Sequence, residues 1–218
     1  MTSISPADSE RPLVSSPDDD KARQILDGAR RVFLAQGFDG ASMNDIARAA
    51  GVSKGTIYFH FDSKEVLFEA LIRAERGQQA EQCCEFDDDD PDIAKVLTNL
   101  GRSLLAMMTA PETVAQVRTV IAVAAKFPRI GRAFYETGPK HGLARLQAYF
   151  VKQTEAGRLD TREPDIAAIH FIQLCLGDIH KRSMFCPEDP ISGAEVERTI
   201  KAGVFVFMRA YGPKTETK

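Results

Sequence analysis

Between Ser42 and Lys64 the chain reads SMNDIARAAGVSKGTIYFHFDSK, and the polar groups of this stretch suit one kind of chemistry. Ser42, Ser53, Thr56 and Tyr58 supply hydroxyls, His60 an imidazole, and Lys54 and Lys64 ammonium groups. Such groups hold phosphate oxygens by hydrogen bonds and charge. They are not ordered as the acid, base and nucleophile of a catalytic site. Gly55 leaves the backbone bare among them, at a cost of ~1 kcal/mol in a helix interior. A bare backbone lets a helix come close to a groove. Lys54 can reach a guanine edge or a phosphate, and Lys54 to Thr56 are the residues best placed to touch bases.

The elements that must position these groups are legible around them. Ser42 opens a short helix with Asp45 three residues on, close to a capping box. Ile46, Ala47 and Ala50 form its inner face, Gly51 breaks it, and Val52 packs inward. Ser53 caps the next helix, whose Ile57 and Phe61 are expected in the core; Phe59 is expected to pack as well. Asp62 or Ser63 caps a further helix running through Leu67, Phe68, Leu71 and Ile72 to about residue 85. Upstream, Ile25, Leu26, Ala29, Val32 and Phe33 share one helical face. Asp18 to Asp20 favour the start of that helix, and Gly37 its end. Two short helices joined by a tight turn, the second basic at its N-terminus, form a helix-turn-helix able to enter a major groove. A helix-turn-helix used for protein contact is the alternative, and it would show no specific binding to duplex DNA.

The net charge of −3 argues against nucleic acid only on the average. Residues 1–20 carry −4, whereas residues 21–76 carry +2. A local basic face suffices for DNA. No apolar run reaches the ~20 residues a membrane helix needs. The first residues have neither the basic start nor the apolar core of a secretory signal, so a cytoplasmic protein is expected. Residues 1–19, rich in Ser, Pro and Asp, are expected to be a disordered tail, and residues 213–218 a C-terminal tail. Cys83, Cys84, Cys175 and Cys186 show no C-x-x-C spacing and read as idle thiols; a metal- or redox-responsive regulator is the competing use. The four aspartates 87–90 read as a solvated loop. No phosphate-binding glycine loop and no base patterned beside Cys175 or Cys186 appears, so an enzyme is not expected, and no cofactor or metal is called for.

The run from Ser42 to Phe68, together with the preceding Phe33, Gly37 and Phe38, resembles the DNA-binding domain of the TetR family of transcriptional regulators. The resemblance extends over about residues 21–76. It implies an all-α protein: a three-helix helix-turn-helix domain at residues 20–80 and a larger helical domain at residues 81–212. It also implies a homodimeric repressor on a pseudo-palindromic double-stranded DNA operator, released by a small-molecule effector. The family's DNA contacts fall on Ser42, Ser53, Lys54, Gly55, Thr56, Tyr58, His60 and Lys64. Phe59 departs from the pattern, because many members carry Tyr or His there.

After Pro91 the sequence predicts helices at about 91–109, 111–126, 128–157, 163–184 and 192–211. Pro111, Pro128, Pro164 and Pro190 stand at or before helix starts, and Gly138-Pro139 can break the third segment. Residues 127–139 also resemble the regulatory domain of a TetR subgroup. Effector-pocket candidates are Met107, Arg118, Phe134, Phe150, His170, Phe171 and Gln173, which combine adaptable apolar volume with a cation and hydrogen-bonding groups. The last two helices usually pair with a partner in this family. Their candidate interface residues are Ile169, Leu176, Ile179, Ile200, Val204, Phe207 and Met208, with Gly177 and Gly203 allowing close approach.

Overall fold

A computed structural model describes the backbone of residues 17–83 and 87–213, and the side chains of residues 18–77 and 87–213. Of the tail expected at residues 1–19, residues 1–16 lie outside the described residues and residues 17–19 already begin α1; residues 214–218 of the tail expected at 213–218, and the side chains of Cys83 and Cys84, also lie outside the description. The described residues form helices and no strand: α1 (Pro17–Gly40), α2 (Met43–Ala50), α3 (Lys54–His60), α4 (Lys64–Cys83), α5 (Ile93–Thr109), α6 (Pro111–Ala124), α7 (Pro128–Thr137), α8 (Pro139–Glu155), α9 (Pro164–Phe185) and α10 (Gly193–Tyr211). The expected all-α architecture is the observed one. The long segment expected at 128–157 divides into α7 and α8, because Pro139 starts a new helix after the non-helical Gly138.

Two hydrophobic cores organise these helices. The first gathers Ile25, Ala29 and Phe33 of α1, Ile46 of α2, Ile57 of α3, and Leu67, Phe68 and Ile72 of α4. Phe33 and Phe68 meet edge to face at 4.7 Å, a favourable geometry for aromatic pairs. Where α1 crosses α2 there is no room for a side chain: a Cβ on Gly28 would stand 2.6 Å from that of Ala50. The same core includes Val120 and Val123 of α6 and Ile130 and Ala133 of α7. The packing therefore does not divide where the sequence changes character near residue 80.

The second core lies among α5, α8, α9 and α10. Phe150, Phe171 and Phe207 form an aromatic cluster there, with Phe150 and Phe207 stacked at 5.0 Å. Gly203 lets α10 approach the backbone of Leu174 so closely that a Cβ would lie 2.9 Å from its carbonyl oxygen. This corrects the expectation for Gly203: the approach it permits is between two helices of one chain. Leu176, Ile179, Ile200, Val204 and Phe207, expected at a partner interface, are likewise buried in this chain's own core. Met208 is half-buried against it. The large apolar side chains that α9 and α10 leave exposed are Ile166, Ile169, Phe185, Phe205 and Val206.

The loop of aspartates is more engaged than a solvated loop. Lys152 of α8 binds Asp89 at 2.9 Å, Lys95 of α5 binds Asp90 at 2.9 Å, and Gln153 donates to the carbonyl of Asp88 at 2.8 Å. Basic residues facing the loop from both helices account for the difference. The buried thiol of Cys175 is pushed up to about 12 by desolvation, which makes it a poor nucleophile.

Candidate nucleic-acid interface

Two serines set the helix-turn-helix geometry. The Ser42 hydroxyl accepts from the backbone N–H of Asp45 at 3.1 Å and donates to its carboxylate at 2.5 Å. Ser53 does the same work for α3, accepting from the N–H of Thr56 at 3.0 Å. Its Oγ also lies 2.7 Å from the Thr56 hydroxyl. N-capping of this kind contributes about 1 kcal/mol each. Between the helices Gly51 adopts the left-handed conformation (φ 66, ψ 35) that an L side chain resists. Ile57, fully buried, and Phe61 anchor one side of α3 to the first core.

The opposite side of α3 is open. Ser53, Lys54, Gly55, Tyr58 and Phe59 are exposed, and Thr56 and His60 are half-buried. A Cβ on Gly55 would meet only the Ser53 hydroxyl, at an unstrained 3.7 Å. The space around it inside the chain therefore does not require a glycine there. Phe59 corrects the expectation that it packs: 76% of its surface is exposed, with its ring edge-on to that of His60 at 5.2 Å. The signal for this was present. Two residues beyond the buried Ile57 lies about 200° around a helix, on the far face.

Lys64, expected to clamp a phosphate, is also engaged within the chain. Its ammonium donates to the carbonyls of Phe38 at 2.7 Å and Ala41 at 2.9 Å and sits 4.5 Å from the centre of the Phe38 ring. Two of its three protons thus hold the α1–α2 turn, which leaves one for a phosphate. Ser63, rather than Asp62, caps α4, with its Oγ accepting from the N–H of Val66 at 3.3 Å.

A second site lies behind this unit. A cavity of about 520 Å³, partly open to solvent, lies among α4 to α9 and is lined mainly by apolar side chains, among them Leu104, Met107, Met108, Phe134, Leu143 and Phe171. Of the seven expected pocket residues, Met107, Phe134, Phe171 and Gln173 line it. The other three do not. Arg118 points to solvent on α6, Phe150 is wholly buried in the second core, and His170 is bonded through Nδ1 to the Tyr211 hydroxyl at 2.6 Å. Cys175 faces the core and His180 the cavity, so the histidines and the thiol of α9 do not converge on a metal. Sequence reasoning missed Arg76 and His180, both in the cavity wall. The signal for Arg76 is its place on the apolar stripe Phe68, Ile72, Arg76 of α4, where a charge is out of character.

Known proteins share these features. Residues 25–71 match the family described as bacterial regulatory proteins, tetR family, and residues 95–213 match the AefR-like transcriptional repressor C-terminal domain. The HTH-type transcriptional repressor AcnR of Corynebacterium diphtheriae is 41% identical over 75 residues, 34% of this chain and 40% of that protein. The repressor BepR of Brucella suis biovar 1 is 40% identical over 70 residues, 31% of this chain and 34% of that protein. These matches span well under half of the curated relatives. Two solved structures match throughout. A Mesorhizobium loti protein described as a TetR-family transcriptional regulator is 33% identical with TM-score 0.87, covering 91% of this chain and all of that one. The flavonoid-responsive regulator FrrA is 31% identical with TM-score 0.78, covering 90% of this chain and 99% of that one. With a family domain matched over more than half its length and a helix-turn-helix of the same design in front of it, the chain belongs to the TetR family of transcriptional regulators.

Proposed function

We propose that this protein is a cytoplasmic, homodimeric repressor that binds a pseudo-palindromic operator and leaves it when a small molecule fills the 520 Å³ cavity. The observation that carries the reading is the outward face of α3, with the unneeded glycine Gly55 between Lys54 and the exposed Tyr58 and Phe59. Lys54 reads a guanine edge or grips a phosphate. Ser42, Ser53, Thr56, Tyr58 and His60 hold phosphates and fix register. Phe59 brings apolar contact to sugar or to a thymine methyl. So few base contacts cannot define a long site, so specificity comes from two copies at a fixed spacing of ~34–36 Å or a multiple of it.

The repressor names of AcnR and BepR support the sign of the regulation. The cavity's size suits a drug-sized molecule. Phe134, Tyr135 and Phe171 in its wall favour an aromatic one, in keeping with the flavonoid response stated for FrrA. The partner surface is the apolar group Ile166, Ile169, Phe205 and Val206 on α9 and α10. Selection of bound duplexes from a random library tests the reading. An inverted repeat is expected; enrichment of nothing, or of a single unrepeated site, overturns it.

A further inference from the structure

The turn between α6 and α7 sets an unengaged lysine beside the helix-turn-helix. Lys126 follows the end of α6, its backbone N–H donating to the carbonyl of Val123 at 3.0 Å, and the N–H of Phe127 donates to the same carbonyl at 2.8 Å. Val123 and Ile130, on either side, are buried in the first core, and Phe127 packs against it. The turn is thus fixed to the N-terminal helices, although it belongs to the body of the protein. The ring of Phe127 lies 5.4 Å from that of Phe38, near the end of α1. The Lys126 ammonium stands 5.2 Å from the centre of the Phe127 ring, and that of Lys64 stands 4.5 Å from the centre of the Phe38 ring. These steps place the two ammonium groups at most about 15 Å apart, a length of duplex along which one strand carries on the order of four phosphates. Glu65, in the first turn of α4, feels both lysines. Its pKa is lowered by its own backbone N–H and by the Ser63 hydroxyl, and further by the charges of Lys64 and Lys126.

The basic groups here differ in what occupies them. Two protons of Lys64 are held by the carbonyls of Phe38 and Ala41, and Arg129, beyond the turn, reaches Glu69 at 3.4 Å. Lys126 is exposed, and its ammonium forms no hydrogen bond or ion pair among the described residues. A cation on a backbone held this firmly is open to a phosphate oxygen. We infer that Lys126 is a DNA contact made by the body of the protein: it grips the phosphate backbone next to the phosphate met by Lys64 and the first turn of α4, and so extends the footprint beyond the helix-turn-helix. This rests on the reading of α3 as the recognition helix, which lays Lys64 against the duplex. The contact reads no base; its part is affinity and register. It also has a regulatory side. α6 and α7 line the cavity through Val117, Phe134 and Tyr135, so a ligand that shifts these two helices moves a phosphate contact directly, without α4 as intermediary.

Fluorescence anisotropy on the full chain tests the assignment, with the selected duplex and with one of scrambled sequence, between about 50 and 200 mM salt. Lys126→Gln is expected to weaken binding to both duplexes at least threefold at low salt, and to lower the logarithmic salt slope by about 0.9 for each contact removed. Lys126→Arg should keep most of the affinity and the slope. Lys140→Gln makes the same change of charge at the start of α8, next to Gly138, which packs on Arg76 about 18 Å along α4 from Lys64; it should alter neither. A second measurement locates the contact. Methylphosphonate placed at single positions of the selected duplex removes one phosphate charge at a time. The parent chain should lose affinity at a phosphate that Lys126→Gln no longer senses, within about four nucleotides of the one that Lys64→Ala no longer senses. An unchanged salt slope in Lys126→Gln overturns the inference, as does a methylphosphonate profile identical to that of the parent or an equal effect of Lys140→Gln. A chain that binds neither duplex overturns the recognition reading and this contact with it, whereas operator binding indifferent to Lys126 sinks this contact alone.

Discussion

At the scale of single residues, Gly55 separates folding from function. Replacing it with Ala adds a Cβ that meets only Ser53 Oγ and removes a poor helix former, so the fold should gain about 0.5–1 kcal/mol. The same methyl stands between the α3 backbone and the groove. Gly55→Ala is thus expected to melt higher yet bind the selected operator at least tenfold more weakly, by thermal denaturation and fluorescence anisotropy. Lys64 works in the opposite sense, because its ammonium holds the carbonyls of Phe38 and Ala41. Lys64→Ala should lose about 1–3 kcal/mol of stability, since hydrogen bonds to charged groups are the stronger kind. With one proton left for DNA, it should also flatten the logarithmic salt slope of operator binding by about one unit. An unchanged slope would leave Lys64 a structural staple alone. The capping serines, the turn glycine and the buried Ile57 were legible in the sequence because each answers to its nearest neighbours. The role of Lys64 was not, since its partners lie 23 and 26 residues away.

Among the elements, α9 shows what local pattern cannot supply. Its apolar residues run almost all round the helix, so periodicity does not say which side meets α10, which lines the cavity and which is left open. Leu176 and Ile179 were accordingly expected at an interface and lie inside. Gly177, read as a site of close approach, does face α10 closely, since a Cβ there would stand 3.1 Å from Thr199 Cγ2, but it is also a kink with φ 51 and ψ −142, a conformation open to glycine and costly for other residues. Just past it, His180 faces the cavity with its pKa lowered by desolvation. The folded chain therefore keeps this imidazole neutral at pH values where the unfolded chain has already protonated it. Its contribution to stability is full above about pH 6.5 and is lost as pH falls from there through the folded pKa. His180→Gln, neutral at every pH, should show a smaller drop in melting temperature between pH 7 and pH 5 than the parent chain. Calorimetric scans across that range decide it.

On the dimeric reading proposed above, the whole molecule supplies what α3 alone cannot, a second reading head at a fixed distance. The exposed side chains Phe205 (61%) and Val206 (48%) on α10, with Ile166 and Ile169 on α9, offer the apolar surface for pairing. Phe205→Asp should leave the helical content of the folded chain unchanged in circular dichroism, because an exposed site contributes little within one chain. It should convert the dimer to a monomer in sedimentation experiments and abolish binding to the inverted repeat. A dimer that persists would move the interface elsewhere. The fold itself has a further consequence, which lies in the first core. Val120, Val123, Ile130 and Ala133, contributed by α6 and α7, are packed among the side chains of the N-terminal helices. Residues 17–83 are therefore not a portable module. Grafted onto the body of another regulator, they would carry half of a jigsaw whose other half was left behind, and a chimera that respects this chain's packing would have to carry α6 and α7 along with its reading head.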